Sequence, residues 1–441
     1  MENNPTTHKS ESAEKNQNSD RISSLHDTII YHIFSFLPTL YVVRTSILSK
    51  RWYNLWNFLP YVYFDDGCFN DANGLEQPEE IRRIKFRDSV NEFMSRRISS
   101  TMSIIKFQLS TRCRFHGSHM NEWISAAIRA GVEELDVCIG DIENHLEYRW
   151  PSCLFDCRSL VTLKLSIDDM FFHFPESFCF PNLKVMHLNS IILAKNFHHQ
   201  LMNCPKLEVL CLNRFFVYVD PLPSSNTFQD LTDGHHSKVL SNLDDAFIAV
   251  VMFDREPIGE VGRWLSTLLR KLSNVKTLQL SYRTIKVLQY SEAALLNHLP
   301  TFCNLKHLDL ELGGEDGNVV DILACVLRRS LVLQSLHLRY VSASGLRTLH
   351  GTLKPEEFLS VYLLAKLKKI RVDNFWGTEK QIELVRLLFR NEVLEEIIVH
   401  LQSSTKETIV LREELLQFPR LSKLVLVYEN SEKEVIEEIF S

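Results

Sequence analysis

From residue 104 to residue 426 one short pattern keeps returning: an apolar residue, two variable ones, a second apolar residue, one variable, and a third apolar residue. The copies read Ile104-Phe107-Leu109, Val132-Leu135-Val137, Leu160-Leu163-Leu165, Leu183-Met186-Leu188 and Leu207-Leu210-Leu212. A weaker copy stands at Leu243-Ala246-Ile248. The series resumes at Val275-Leu278-Leu280, Leu305-Leu308-Leu310, Leu333-Leu336-Leu338, Leu367-Ile370-Val372, Leu394-Ile397-Val399 and Leu421-Leu424-Leu426. Many copies follow one another at about 27 to 28 residues, and those starting at Leu160, Leu183 and Leu207 at about 23 to 24, spacings of stacked-repeat chains. Each copy reads as a short strand whose second and third apolar residues share a face. One such strand cannot bury that face, whereas a stack of them shares a continuous core. Leu265, Leu268, Leu269 and Leu272 form a helical stripe leading into Val275, and Asn203-Cys204-Pro205 marks a similar helix end before Leu207. The expected class is therefore α/β: a solenoid of parallel strands with helices returning outside. Unrelated amphipathic strands would not repeat so often at near-constant spacing.

The segment Asp20 to Asp66 breaks from this rhythm. Ile30, Ile33, Phe34 and Leu37 fall at i, i+3, i+4 and i+7 on one helical face, with Ile29 and Phe36 on its flank. Pro38 is expected to end that helix, and Leu48, Trp52, Leu55 and Trp56 form a further apolar face. About 40 residues seldom bury enough surface to stand alone. No cysteine lies in this segment, so its stabiliser is a partner or the rest of the chain.

The blocks Asp20-Arg21-Ile22-Ser23, Leu25, Ser35-Phe36-Leu37-Pro38-Thr39, Val43, Thr45-Ser46, Leu48-Ser49-Lys50-Arg51-Trp52, Leu55-Trp56 and Phe64-Asp65-Asp66 agree in order and spacing with a known module. The segment resembles the F-box of plant F-box proteins. It departs at His26, where that family has proline, and at Leu40, where it has a polar residue. These changes imply a looser start to the first helix and an added apolar spot on the surface. The repeats, Cys204-Pro205-Lys206-Leu207-Glu208-Val209-Leu210 above all, resemble the irregular leucine-rich repeats of the same proteins. The asparagine that many such repeats carry after the strand is replaced by Asp168, Ile191, Phe215, Arg283, Gly313 and Val341, so no ladder of that kind is expected to hold the turns. Leu384-Val385-Arg386-Leu387-Leu388-Phe389-Arg390-Asn391 with Leu394-Glu395-Glu396-Ile397 resembles the FBD domain, though it also scans as two more repeats. The expected division is a disordered tail over 1–19, an F-box over 20–66, a linker and first helix over 67–100, leucine-rich repeats over 101–356 and FBD-like repeats over 357–441. Asp220 to Ser237 reads as an inserted surface loop.

Composition excludes several classes. Apolar residues make up 45% of the 441 and charged ones 24%, ordinary values for a globular chain. A formal net charge of -6 argues against a phosphate-gripping nucleic-acid binder, and the Arg-Arg pairs at 82–83, 96–97 and 328–329 are scattered. The first nineteen residues lack the apolar core of a secretory signal, and the longest apolar run, Ala246 to Phe253, falls short of a membrane span. An intracellular protein, nuclear or cytoplasmic, with reduced thiols at its 10 cysteines is expected.

Strand alternation then names the residues facing away from the core, on the expected concave side. Among them are Lys164, His187, Gln279, His307, Asp309, His337 and Arg339, the candidate substrate-binding set. His187 and His337 hold equivalent strand positions, with His307 one alternation earlier in its own strand. Solenoids commonly bind partners on this side, so the expectation concerns a face rather than one residue.

No catalytic constellation and no cofactor site can be assembled from the sequence. Cys113, His116 and His119 supply too few ligands for structural zinc, and Cys153 with Cys157 falls beyond the next repeat strand. Gly313-Gly314-Glu315-Asp316-Gly317 is acidic and lacks a following Gly-Lys-Ser/Thr. The resemblance implies a non-catalytic subunit of an SCF-type ubiquitin ligase, docking on a Skp-family linker and through it on a cullin while the repeats hold a target protein. By that resemblance the linker-contacting residues are Leu25, Ile29, Ile33, Leu37, Pro38, Leu48 and Trp52. Two alternatives stay open: a repeat scaffold that no longer engages the linker, and a small-molecule co-receptor.

Overall fold

The computed structural model describes residues 24–69, 77–98, 103–143, 148–167, 171–218, 239–252, 257–290, 299–313, 319–341, 366–389, 391–402, 405–418, 422–430 and 433–439. The expected tail, the first block of the F-box-like segment, the loop over 220–237, Gly314 to Gly317 and the opening of the FBD-like block lie outside these residues.

Every expected repeat with described strand residues forms a strand. The strands are β1 (Tyr61–Asp65), β2 (Lys106–Thr111), β3 (Glu134–Ile139), β4 (Thr162–Ile167), β5 (Val185–Asn189), β6 (Val209–Val217) and β7 (Asp245–Val250). They continue as β8 (Thr277–Leu280), β9 (His307–Leu312), β10 (Ser335–Tyr340), β11 (Lys369–Phe375), β12 (Glu396–Leu401), β13 (Lys423–Asn430) and β14 (Lys433–Ile439). They pair in chain order along one sheet, all parallel except the last pair. The register matches the repeat: Phe107, Leu135, Leu163, Met186, Leu210, Ala246, Leu278, Leu308, Leu336, Ile370, Ile397 and Leu424 form one continuous row. Each is buried, and the weak copy at Ala246 takes its place with the others.

A staircase of shared carbonyls locks this register. From β2 to β12, two successive N–H groups at the strand entry donate to one carbonyl of the preceding turn, as Val161 and Thr162 do to Glu133 and Lys368 and Lys369 do to Gln334. Asparagines support the turns after all, on the entry side rather than after the strand. Asn182 Nδ2 donates to the Arg158 carbonyl at 2.9 Å and Asn242 Nδ2 to that of Pro205 at 2.7 Å.

In the front segment α1 (Asp27–Phe34), α2 (Thr39–Arg44) and α3 (Trp52–Leu55) precede β1. Pro38 does not end α1. The helix stops at Phe34 with Ser35 as its cap, and Pro38 sits at the N-cap of α2. His26 does not loosen the start of α1: its Nδ1 accepts the Thr28 N–H at 3.4 Å, doing a capping residue's work. Leu40 is half-buried against the core rather than a surface spot.

The boundary expected at residue 66 falls inside a continuous structure. β1 pairs in parallel with β2, so the front segment supplies the solenoid's first strand, and the carbonyl staircase begins at Pro60. The helix expected within 67–100 is α4 (Glu79–Ile98), and it packs into the core: Phe86, Val90, Phe93 and Met94 are buried, and Phe93 meets both Phe64 and Trp56. Buried Arg97 donates to the carbonyls of Asn57, Leu59 and Ser103. Buried Asp66 accepts from Thr111 Oγ1 and from the N–H groups of Arg112 and Cys113 at 2.8–2.9 Å. Beyond them α5 (Gly117–Arg129), the short α6 (Phe197–Gln200), α7 (Ile258–Lys271), α8 (Tyr282–Tyr290), α9 (Val319–Arg328), α10 (Glu379–Phe389) and α11 (Thr405–Leu416) return the chain between strands.

Candidate functional site

Helix α1 carries apolar residues on two sides. Ile30 and Phe34 turn inward, where Phe34 packs edge-on against Trp52. Ile29 and Ile33 turn outward and are 48% and 40% exposed. Phe36 follows in the turn at 74%, and Ile47 and Leu48 after α2 reach 87% and 56%. Such a run of large apolar side chains in water marks an interaction surface. Of the residues expected at the linker, Ile29, Ile33 and Leu48 are exposed, while Leu25, Leu37 and Pro38 are half-buried. Trp52 is the exception, only 4% exposed, because it fills the interior beneath Phe34. Trp56 is closed in by Phe93. The outer surface is thus aliphatic and phenyl rather than indole. The sequence pattern alone did not single out Ile47 and Phe58, exposed in short 3-10 turns, or Tyr53, exposed on α3.

On the sheet face away from the buried row, register builds a second one: Gln108, Asp136, Lys164, His187, Cys211, Phe247, Gln279, Asp309, His337, Arg371 and Ile398. His187 and His337 do share this row. The expected set falls into two groups. Lys164 and His187 are neighbours, with Asp136 beside Lys164. Gln279, Asp309 and His337 are neighbours further along, and Arg339 stands one alternation higher. Cys211 and Phe247 separate the groups. His307 lies at the strand entry, opposite Thr277 and Ser335 and outside both.

Asp309, His337 and Arg339 of the second group join a charged network. His337 Nδ1 is 2.9 Å from Asp309 Oδ2, and its Nε2 is 2.7 Å from Asp373 Oδ2. Arg339 reaches Asp309 and Glu311 at 3.3 Å, Arg371 holds Asp373 at 2.9 Å, and His400 approaches Asp373 at 3.6 Å. Burial opposes the charge on His337, yet its hydrogen bonds to the two carboxylates outweigh this and lift its pKa to about 9. Asp373, despite burial, is held down at about 2 by His337 and Arg371. The first group behaves oppositely. Burial, with Lys164 beside it, lowers the His187 pKa, and burial raises that of Asp136 in spite of Lys164. With both ring nitrogens of His337 engaged, the network presents a fixed pattern of charge rather than a basic lone pair. Strand alternation could place Asp373 and Arg371 on this face, but only register reveals their pairing.

Among the described residues no cluster of three or more His, Cys, Asp or Glu is arranged to hold a metal ion. Cys113 is buried with its thiol pushed up to about 11, first by burial, and His116 caps α5. No described helix is long and apolar enough to cross a membrane.

Residues 22–61 match the F-box domain family, and residues 120–231 match the family described as FBD-associated F-box protein At5g56370, LRR repeats. The chain carries an F-box followed by leucine-rich repeats. It is 28% identical over 405 residues to F-box/LRR-repeat protein At3g58940 of Arabidopsis thaliana, covering 83% of this chain and 63% of that relative. It is 28% identical to F-box/FBD/LRR-repeat protein At1g13570 of the same plant, over 91% of this chain and 96% of the relative. A shorter match to F-box/LRR-repeat protein At3g58900 reaches 35% identity over 192 residues. The matched stretch thus spans less than two thirds of the first of these relatives and nearly all of the second. In this chain the F-box match covers the helices with the exposed apolar side chains, and the repeat match runs through β3 to β6.

Proposed function

We propose that this chain is the substrate-recognition adaptor of a cullin-based SCF-type ubiquitin ligase. The F-box docks on a Skp-family linker through Ile29, Ile33, Leu48 and the neighbouring Phe36 and Ile47, and the linker attaches to a cullin. The open sheet face, with its Asp309–His337–Asp373 network, meets the target protein. The chain performs no bond chemistry in this reading. It raises the local concentration of a target lysine beside a charged conjugating enzyme.

One observation carries the proposal: a module matching the F-box family leaves Phe36 and Ile47 at 74% and 87% exposure while its own interior is already filled by Phe34 and Trp52. Burying such side chains at an interface gains about 25 cal/mol per Å² of apolar surface. Co-expression of the full chain with a Skp-family protein tests it. A stoichiometric complex that survives gel filtration is expected, and separate elution of the two chains would refute the adaptor reading.

A further inference from the structure

A cavity of about 850 Å³ opens beyond the C-terminal ends of β4 to β6, away from the row that holds His187 and His337. Its size suits a small molecule rather than one inserted side chain. It forms where short segments after the strands pair again, Phe172–His173 with Ile191–Leu193, and Ile191–Leu193 with the end of β6. Rings wall it: Trp150, Phe155, Phe174 and Tyr218.

Two further properties mark it. First, its rim is basic. Arg149 and Lys195 both line it and both are exposed, and the Lys195 ammonium has no ion-pair partner among the described residues. Glu176 is the one carboxylate among its described lining residues. Burial, and then nearby His199, Lys271 and Arg270, hold the lining His198 neutral with a pKa of about 3. Second, three lining residues carry polar atoms shut from solvent and without a hydrogen-bond partner among the described residues: Trp150 Nε1, Asn196 Oδ1 and His198 Nδ1. Trp150 and His198 are only 6% and 8% exposed. Native chains pair nearly all such groups, so three beside one cavity mark a wall whose polar atoms the described residues leave unsatisfied.

We infer that this cavity binds a small planar anion, an aromatic ring bearing a carboxylate or phosphate, with the ring against Trp150 and Tyr218 and the anion toward Arg149 and Lys195. The ring accounts for the aromatic walls, and the charge accounts for a basic rim with a single acid. The site is independent of the F-box surface, so its failure would leave the adaptor reading untouched.

Isothermal titration calorimetry of the full chain tests it with phenyl phosphate, benzoate, benzamide and inorganic phosphate. Saturable heat is expected for phenyl phosphate or benzoate, with benzamide and inorganic phosphate roughly tenfold weaker, since each lacks one of the two contacts. Lys195→Ala, an exposed position, should weaken the anion roughly tenfold through loss of a charged partner. Trp150→Phe keeps a ring, removes the indole N–H, and should also weaken it. Circular dichroism confirms that both variants fold. The inference fails if no aromatic anion binds, if benzamide or inorganic phosphate binds as tightly as phenyl phosphate, or if folded Lys195→Ala binds unchanged.

Discussion

The ring of Phe34 meets the indole of Trp52 edge-on, with centroids 5.4 Å apart and planes at 78°. Both residues are buried, yet Ile33, adjacent to Phe34 in the chain, is 40% exposed. Neighbouring positions on α1 therefore serve different purposes, and substitution separates them.

Phe34→Ala removes the inner ring and should destabilise the chain by about 3–5 kcal/mol, the usual cost of a large-to-small change in a core. Ile33→Asp combined with Leu48→Asp touches only the outer face and should change stability by about 0.5 kcal/mol or less per site. Thermal melting measures the first effect and co-purification with a Skp-family linker the second. A double aspartate variant that still co-purifies at full yield would show that this surface is not the docking site.

Asp66 predicts the strength of the join between F-box and solenoid. Its carboxylate accepts three hydrogen bonds from residues 111–113, across the boundary the sequence suggested. Asp66→Ala leaves those donors without it inside the structure and should cost about 3 kcal/mol. Because β1 belongs to the same sheet as β2, the loss should appear as one cooperative transition at lower temperature. Two separate transitions, with only the first shifted, would mean that the F-box folds as an independent unit.

The repeat was legible because its chemistry is local. Leu336 and Leu338 declare their strand within four residues, and even Ala246 keeps the spacing. The first strand was not, because Phe64 reads as part of the closing Phe64-Asp65-Asp66 block and the short helices α1 to α3, rather than a repeat, precede it. The polar network was legible only as a face. His337 meets partners 28 and 36 residues away in the chain, and repeats of unequal length hide which side chains come level. Likewise nothing local in His198 or Trp150 says that both border one cavity. The turn after β11 was equally hidden, since it depends on what packs over it.

That turn supplies a sharp test. Gly377 has φ of 73°, and a Cβ placed there would come within 2.0 Å of Leu411 Cδ2 on α11. Gly377→Ala thus meets both left-handed backbone strain and overpacking, and should destabilise by about 1–3 kcal/mol. Leu411→Ala relieves the contact and leaves the strain. In that background Gly377→Ala should cost less, and urea unfolding of the four proteins in the cycle gives the coupling directly. An equal cost in both backgrounds would place the whole penalty in the backbone.

The Asp309–His337–Asp373 network makes stability depend on pH in a definable window. The folded His337 pKa of about 9 lies above the ordinary 6.5, so its contribution is complete below 6.5 and is lost as pH rises through 9. The folded Asp373 pKa of about 2 lies below the ordinary 3.8, so its contribution is complete above 3.8 and is lost as pH falls through 2. Between pH 4 and 6.5 both are present. Since solvent reaches one side of the network, the loss between pH 6.5 and 10 should be about 1–2 kcal/mol rather than the full value of the shift. Urea unfolding at stepped pH should show that decline in the native chain and its absence in His337→Asn, which keeps a polar side chain without a titrating proton. Parallel declines in the two proteins would assign the effect to other groups and leave His337 without a special role in holding this face.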